Sequence, residues 1–188
     1  MMAYRMSSFP SAAYTRTAIT LHWLIFALIA CGFALGQYMA DLPLSPMKLK
    51  YFSWHKWLGI TIFMFAVARV TWRATHPAPL PPAGGPAWQN AVAGAIHVLL
   101  YILIVTIPLS GWLHSSAAGV QTVYLGLIPL PDLVGKDKPL SEFFGEIHEI
   151  LNDGLAVLVV THAAAALKHH FIDRDDTLRR MLPFLKPR

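Results

Sequence analysis

The chain has a single cysteine, Cys31, among 188 residues. That excludes an intramolecular disulfide and a thiolate zinc site. Charge is scarce as well. Asp, Glu, Lys and Arg make up 13% of the residues against 55% hydrophobic, where a soluble domain carries about a quarter charged residues. So little polar surface cannot cover a water-exposed globule, and a membrane protein is expected. The low charge, together with 12% aromatics, also excludes a disordered chain and a strongly charged nucleic-acid binder. The net charge of +5 points to no nucleic-acid partner, because basic residues in membrane proteins first mark the loops that face the cytoplasm.

Crossing a hydrocarbon core of roughly 30 Å takes about 20 apolar residues as a helix. Four stretches qualify: about Thr17 to Ala40, Trp54 to Thr75, Ala91 to His114 and Ile147 to His170. The expectation is an all-α, four-helix transmembrane bundle forming a single membrane-embedded domain over 1–188. The first stretch is too long for a signal-peptide core and carries His22 and Trp23 at its start. Between the second and third lies Pro77, Pro79, Pro81, Pro82, Gly84, Gly85 and Pro86, which proline chemistry keeps out of a helix. The segment 115–146 between the third and fourth is rich in apolar residues, including Tyr124, Leu127, Phe143 and Phe144, and reads as a lid on the membrane face.

Placing the termini and the proline linker on one side gathers there Arg5, Arg16, Arg69, Arg73, Lys168, Arg174, Arg179, Arg180, Lys186 and Arg188, ten of the fifteen basic residues. The positive-inside rule then sets both termini in the cytoplasm. The outer side holds Lys48, Lys50, Lys56, Lys136 and Lys138 against seven acidic residues.

Nine histidines in so apolar a chain need an account, since ionisable groups in a bilayer pair or bind something. His148 and His162 are 14 residues apart in one span. At about 100° and 1.5 Å per residue they return to within about 40° of one face, roughly 21 Å apart. His22 begins the first span at the inner height of His162, and His55 begins the second at the outer height of His148. Two pairs follow: His22 with His162 and His55 with His148.

The same step from His22 reaches Gly36, from His55 Arg69, and from His97 Gly111. The outer layer thus sets two histidines against Gly36 and Gly111, with Gly59 one turn from His55; glycine leaves room for a flat macrocycle, although it equally suits close helix packing. The inner layer adds His97 and Arg69, whose guanidinium suits a propionate or reaches the headgroups.

Zinc gathers three or four ligands round one ion, whereas two facing histidine pairs suit two six-coordinate haem irons. Without a C-x-x-C-H motif, ligation and packing alone would hold them. Filled axial positions leave electron transfer as the expected work.

Arg16 and Thr20 before Leu21-His22-Trp23, the turn from His55 to Gly59, Arg69 and Arg73 before the prolines, His97 and Tyr101 with Gly111, His148 to His162, and the tail 163–181 are similar to the prokaryotic di-haem cytochrome b561 family, which includes superoxide oxidases. The likeness covers about residues 14–183. It implies that His22, His162, His55 and His148 ligate two haem b groups, that ubiquinone exchanges electrons near the inner one, and that superoxide is a candidate donor at the outer one. An enzyme of this kind would be a superoxide:ubiquinone oxidoreductase. Candidate quinone residues are His169, His97, Arg16 and Thr20, with an interfacial anchor beside Lys168 as the other reading of His169. Two rival functions are a haem-bearing anchor subunit serving a separate redox protein and a haem-free metal or proton transporter.

Overall fold

The computed structural model describes residues 13–80 and 86–185; Pro81, Pro82, Gly84 and Gly85 of the linker, Arg5, Lys186 and Arg188 fall outside them. Four long helices run Arg16–Ala40 (α1), Pro46–Thr75 (α2), Ala87–Ala117 (α3) and Lys138–Lys168 (α4). All four are long and apolar enough to cross a membrane. Successive crossings put the two described ends on one face, here the terminal face, and the 118–137 connection on the other, the loop face.

Each helix starts where local chemistry satisfies its first amides. Thr15 Oγ1 accepts from the Ala18 amide and Ser45 Oγ from the Lys48 amide, both at 3.2 Å. Asp137 accepts from the Leu140 amide at 2.9 Å, and prolines stand in the first turns of α2 and α4. These caps explain a difference from the sequence expectation: α2 begins eight residues before Trp54 and α4 nine before Ile147. Phe143 and Phe144 therefore belong to α4 rather than to a loop.

The remaining connection closes on the bundle. Val123–Tyr124 pairs antiparallel with Ile128–Pro129, turned by Leu125 and Gly126 at φ 54° and 73°, the positive values that a tight hairpin turn requires. Trp57 Nε1 donates to the Val123 carbonyl at 2.7 Å, and Thr61 bonds the Tyr124 hydroxyl at 3.0 Å. The segment is thus a small hairpin fastened to α2.

Packing runs α1 on α2, α2 on α3 and α3 on α4. Between α4 and the α1–α2 pair the backbones stay apart, and a slot remains. A buried cluster of Ala66, Ile104, Ile107 and Leu155 fills the middle of the bundle, with Leu155 seven residues from both His148 and His162. It divides the slot into two levels. Val157 and Val160 on α4 are 66% and 69% exposed, which suits a lipid-facing surface.

On the terminal face α4 passes into a π-helical turn, His169–Asp173, closed by Arg174 in the left-handed conformation. The tail then folds back, and Trp23 Nε1 donates to the Met181 carbonyl at 2.8 Å.

Candidate functional site: two facing histidine pairs

The slot holds two imidazole pairs with the same spacing. His55 of α2 and His148 of α4 have ring centres 6.1 Å apart, as do His22 of α1 and His162 of α4. Imidazoles on either side of one metal, with metal–nitrogen bonds of about 2 Å and ring centres about 1 Å behind the ligating nitrogens, stand about 6 Å apart. His97 and His162 are nearer, at 5.2 Å. That gap is too short for ligands on opposite sides of one metal.

Around the loop-face pair, Gly36 and Gly111 serve the rings themselves. A Cβ on Gly36 would come within 3.2 Å of His55 Cε1, and one on Gly111 within 3.0 Å of His148 Cε1. At Gly59 a Cβ would meet nothing within 4 Å. This glycine lines a cleft with His55, His148, Phe33, Ile62, Pro108 and Asn152. The cleft opens on the slot.

His148 Nδ1 contacts the Ile107 carbonyl and Ser110 Oγ, both at 3.0 Å. A carbonyl only accepts, so Nδ1 carries the proton and Nε2 keeps its lone pair for a ligand. Pro108, inside α3, follows Ile107 directly and cannot donate to the Ile104 carbonyl, which loosens the helix at this level. Asn152 Nδ2 donates to the His148 carbonyl at 2.7 Å. His55 Nδ1 is buried and falls short of hydrogen-bond geometry with the Gly32 carbonyl that faces its ring.

The terminal-face pair has a different neighbour. Arg69 Nη2 lies 3.3 Å from His22 Nδ1, Nη1 donates to the Ala18 carbonyl at 2.8 Å, and the guanidinium lies over Tyr101, 5.7 Å from the ring centre. Arg69, Arg73, Tyr14, Trp72, Tyr101 and Met181 line a second cleft, open to the terminal face. Arg16, Thr20, His97 and His169 do not line it. Arg16 and Thr20 stand exposed on the first turns of α1.

His169 Nδ1 meets Asp175 Oδ2 at 2.7 Å and Asp173 Oδ2 at 3.2 Å. Burial works to raise the Asp175 carboxyl, but Thr177, whose amide donates to it, and then His169 outweigh it, so the group is held below the ordinary carboxylate value. Ser110, Asn152 and Asp175 took no part in the sequence reading of the site. An apolar helix offers no signal for a serine that bonds a histidine 38 positions away.

Two loop-face lysines are tied into the fold. Lys48 Nζ donates to the carbonyls of Ala40 and Leu42 at the end of α1, and Lys56 Nζ donates to Ser115 Oγ at 2.8 Å and to the Val120 carbonyl at 3.2 Å. His76 stacks on Trp72, and His114 bonds the Ser141 carbonyl at 2.7 Å.

Four helices long and apolar enough to cross a membrane, with paired imidazoles at two depths, define a membrane protein able to hold a metal-bearing group. The chain belongs to the prokaryotic cytochrome b561 family, whose model it matches over residues 13–184. It is 36% identical over 176 residues to cytochrome b561 homolog 2 of Escherichia coli K12, with 90% of each chain covered. Identity is 28% over 173 residues to cytochrome b561 homolog 1 of the same strain, covering 90% of this chain and 97% of that one. To the probable superoxide oxidase CybB of Yersinia pestis it is 27% over 177 residues, covering 90% and 96%. The chain is accordingly a multi-pass inner-membrane protein that binds haem b and transfers electrons. The residues present fit that group: the spacing of the pairs admits a metal, and the lone pair of His148 Nε2 is directed by its neighbours.

Proposed function

We propose that His22 with His162 and His55 with His148 are the axial ligands of two haem b groups, and that the chain carries electrons between a redox partner at the loop face and ubiquinone at the terminal face. Both termini lie in the cytoplasm in this reading, as the basic residues favour. The single observation that carries it is the equal 6.1 Å spacing of the two pairs. Bound haem would supply one-electron transfer.

The protein's own groups orient, exclude water and handle protons. Ser110 and the Ile107 carbonyl hold His148 in one tautomer, Gly36 and Gly111 admit the rings, and Gly59 leaves space for the macrocycle. The Ala66–Leu155 cluster keeps water from between the levels. Arg69 supplies a cation for a propionate.

Reducing a quinone takes two electrons and two protons. His97, beside His162, would bond a quinone carbonyl. In His169 the carboxylate of Asp175 holds Nδ1–H and leaves Nε2 to take up and pass on a proton. Arg16 and Thr20 border this region on α1.

Superoxide is the most concrete donor, supported by the likeness to the probable superoxide oxidase of Yersinia pestis. A docked redox protein, which would make the chain an anchor subunit, is favoured instead by the apolar tip of the hairpin, where Leu127 is 80% exposed.

The test is haem counting on protein purified without oxygen, followed by rapid-mixing reduction with superoxide, with and without ubiquinone. Two haems per chain are expected, with His22→Ala and His55→Ala each removing a different one. Loss of the same haem from both variants overturns the pairing. Reduction no faster than spontaneous dismutation removes superoxide and leaves the docked protein.

A further inference from the structure

Resting on that two-centre reading, we propose that Arg69 makes the centre between His22 and His162 the stronger electron acceptor of the two, so that an electron entering at the loop face comes to rest at the terminal face. The two pairs match in spacing but not in what faces their second ring nitrogens.

At the loop face His148 Nδ1–H donates to the Ile107 carbonyl at 3.0 Å. An acceptor there pushes electron density into the imidazole, raises its basicity as a ligand and favours the oxidised metal. Among the described residues no Lys or Arg hydrogen-bonds either ring of this pair, because Lys56, next to His55 in sequence, bonds Ser115 and Val120.

At the terminal face the corresponding atom, His22 Nδ1, faces the Arg69 guanidinium at 3.3 Å. With Nε2 left to the metal, Nδ1 carries the hydrogen, and a guanidinium, which only donates, cannot accept it, so His22 has a neighbouring cation where His148 has an acceptor. The charge cannot drift off, since the Ala18 carbonyl holds Nη1 at 2.8 Å and the Tyr101 face lies beneath. Among the described residues no carboxylate pairs with Arg69. A half-buried positive charge this close, with no carboxylate of the described chain to neutralise it, stabilises the form carrying one more electron, in a medium that screens it less than water does. The electron balance is simple: the loop-face centre is oxidised by one electron and the terminal-face centre reduced by one, with no proton required. Both features favour that direction.

The experiment is an optical potentiometric titration of the purified holoprotein in lipid nanodiscs, with haem counted in every sample. The native chain should titrate in two resolved steps. Arg69→Gln should lower the upper step and leave the lower one in place, while Arg69→Lys, which keeps the charge, should leave the upper step closer to its native position. Movement of the lower step, or of neither with both haems present, overturns the proposal. If Arg69→Gln loses the haem it neighbours, the surviving step must be the native lower one; survival of the upper step overturns it equally. A native chain with fewer than two haems would instead count against the ligand pairs on which the proposal rests.

Discussion

A methyl group on Gly111 would lie 3.0 Å from Cε1 and 3.2 Å from Nδ1 of His148. The ring occupies the space that any other residue would fill, and from there it reaches Ser110 and the Ile107 carbonyl. Gly111→Ala should push His148 off both bonds. Losing such orienting partners costs roughly 10- to 100-fold in metal-site affinity, so haem titration should show one weakened centre. Gly94→Ala, where a Cβ meets nothing within 4 Å, is the control. Equal binding by both variants would show that the ring relaxes freely.

The hairpin depends on two residues of α2. Lys56 bonds Ser115 and the Val120 carbonyl, and Trp57 bonds the Val123 carbonyl. Removing a hydrogen bond that involves a charged group costs about 1.5–3 kcal/mol. Lys56→Met and Trp57→Phe should each speed limited proteolysis within 118–137 by about tenfold, with the haem spectrum unchanged. Cleavage at the native rate in both would mean that another contact holds the loop.

Acid should release the turn after α4. The Asp175 carboxyl is depressed in the folded chain, so its contribution to stability is present above its unfolded value. That contribution is lost as pH falls through the lower folded value. The Thr177 amide, which donates to Asp175 Oδ1 at 2.8 Å, reports it directly. Its proton chemical shift should titrate with a midpoint below the ordinary carboxylate value of 3.8, and Asp175→Asn should abolish the change. A midpoint at or above that value contradicts the bonding seen here.

Much of the site could be read before any coordinates. His148 and His162 share a face because helical rise and twist are local properties, and His22 and His55 take their heights from the order of the spans. Gly36 and Gly111 were legible as a need for room, but the room is taken up by the imidazoles they face. The loop between α3 and α4 was overestimated. Its flanks are amphipathic turns capped by Asp137 and extended beyond the apolar run, and an apolar-length criterion stops at the bilayer boundary.

The quinone candidates show a further limit. His169 is a candidate through the family likeness, yet the π-helical turn and the carboxylates of Asp173 and Asp175 decide where its ring is held. The terminal-face cleft joins residues from the start of α1, the end of α2, α3 and the tail. No periodicity along one segment could have assembled them.

Membrane residence, the four crossings and the two depths of histidine were determined by the sequence alone, since each depends on composition or on spacing within one helix. Tertiary structure decided that His22 faces a guanidinium and His148 a carbonyl. Those contacts join residues 47 and 41 positions apart, and they depend on how each helix is rotated against its neighbour. Hydrogen bonding is decided within a few tenths of an ångström, a distance set by packing between helices rather than by order along the chain.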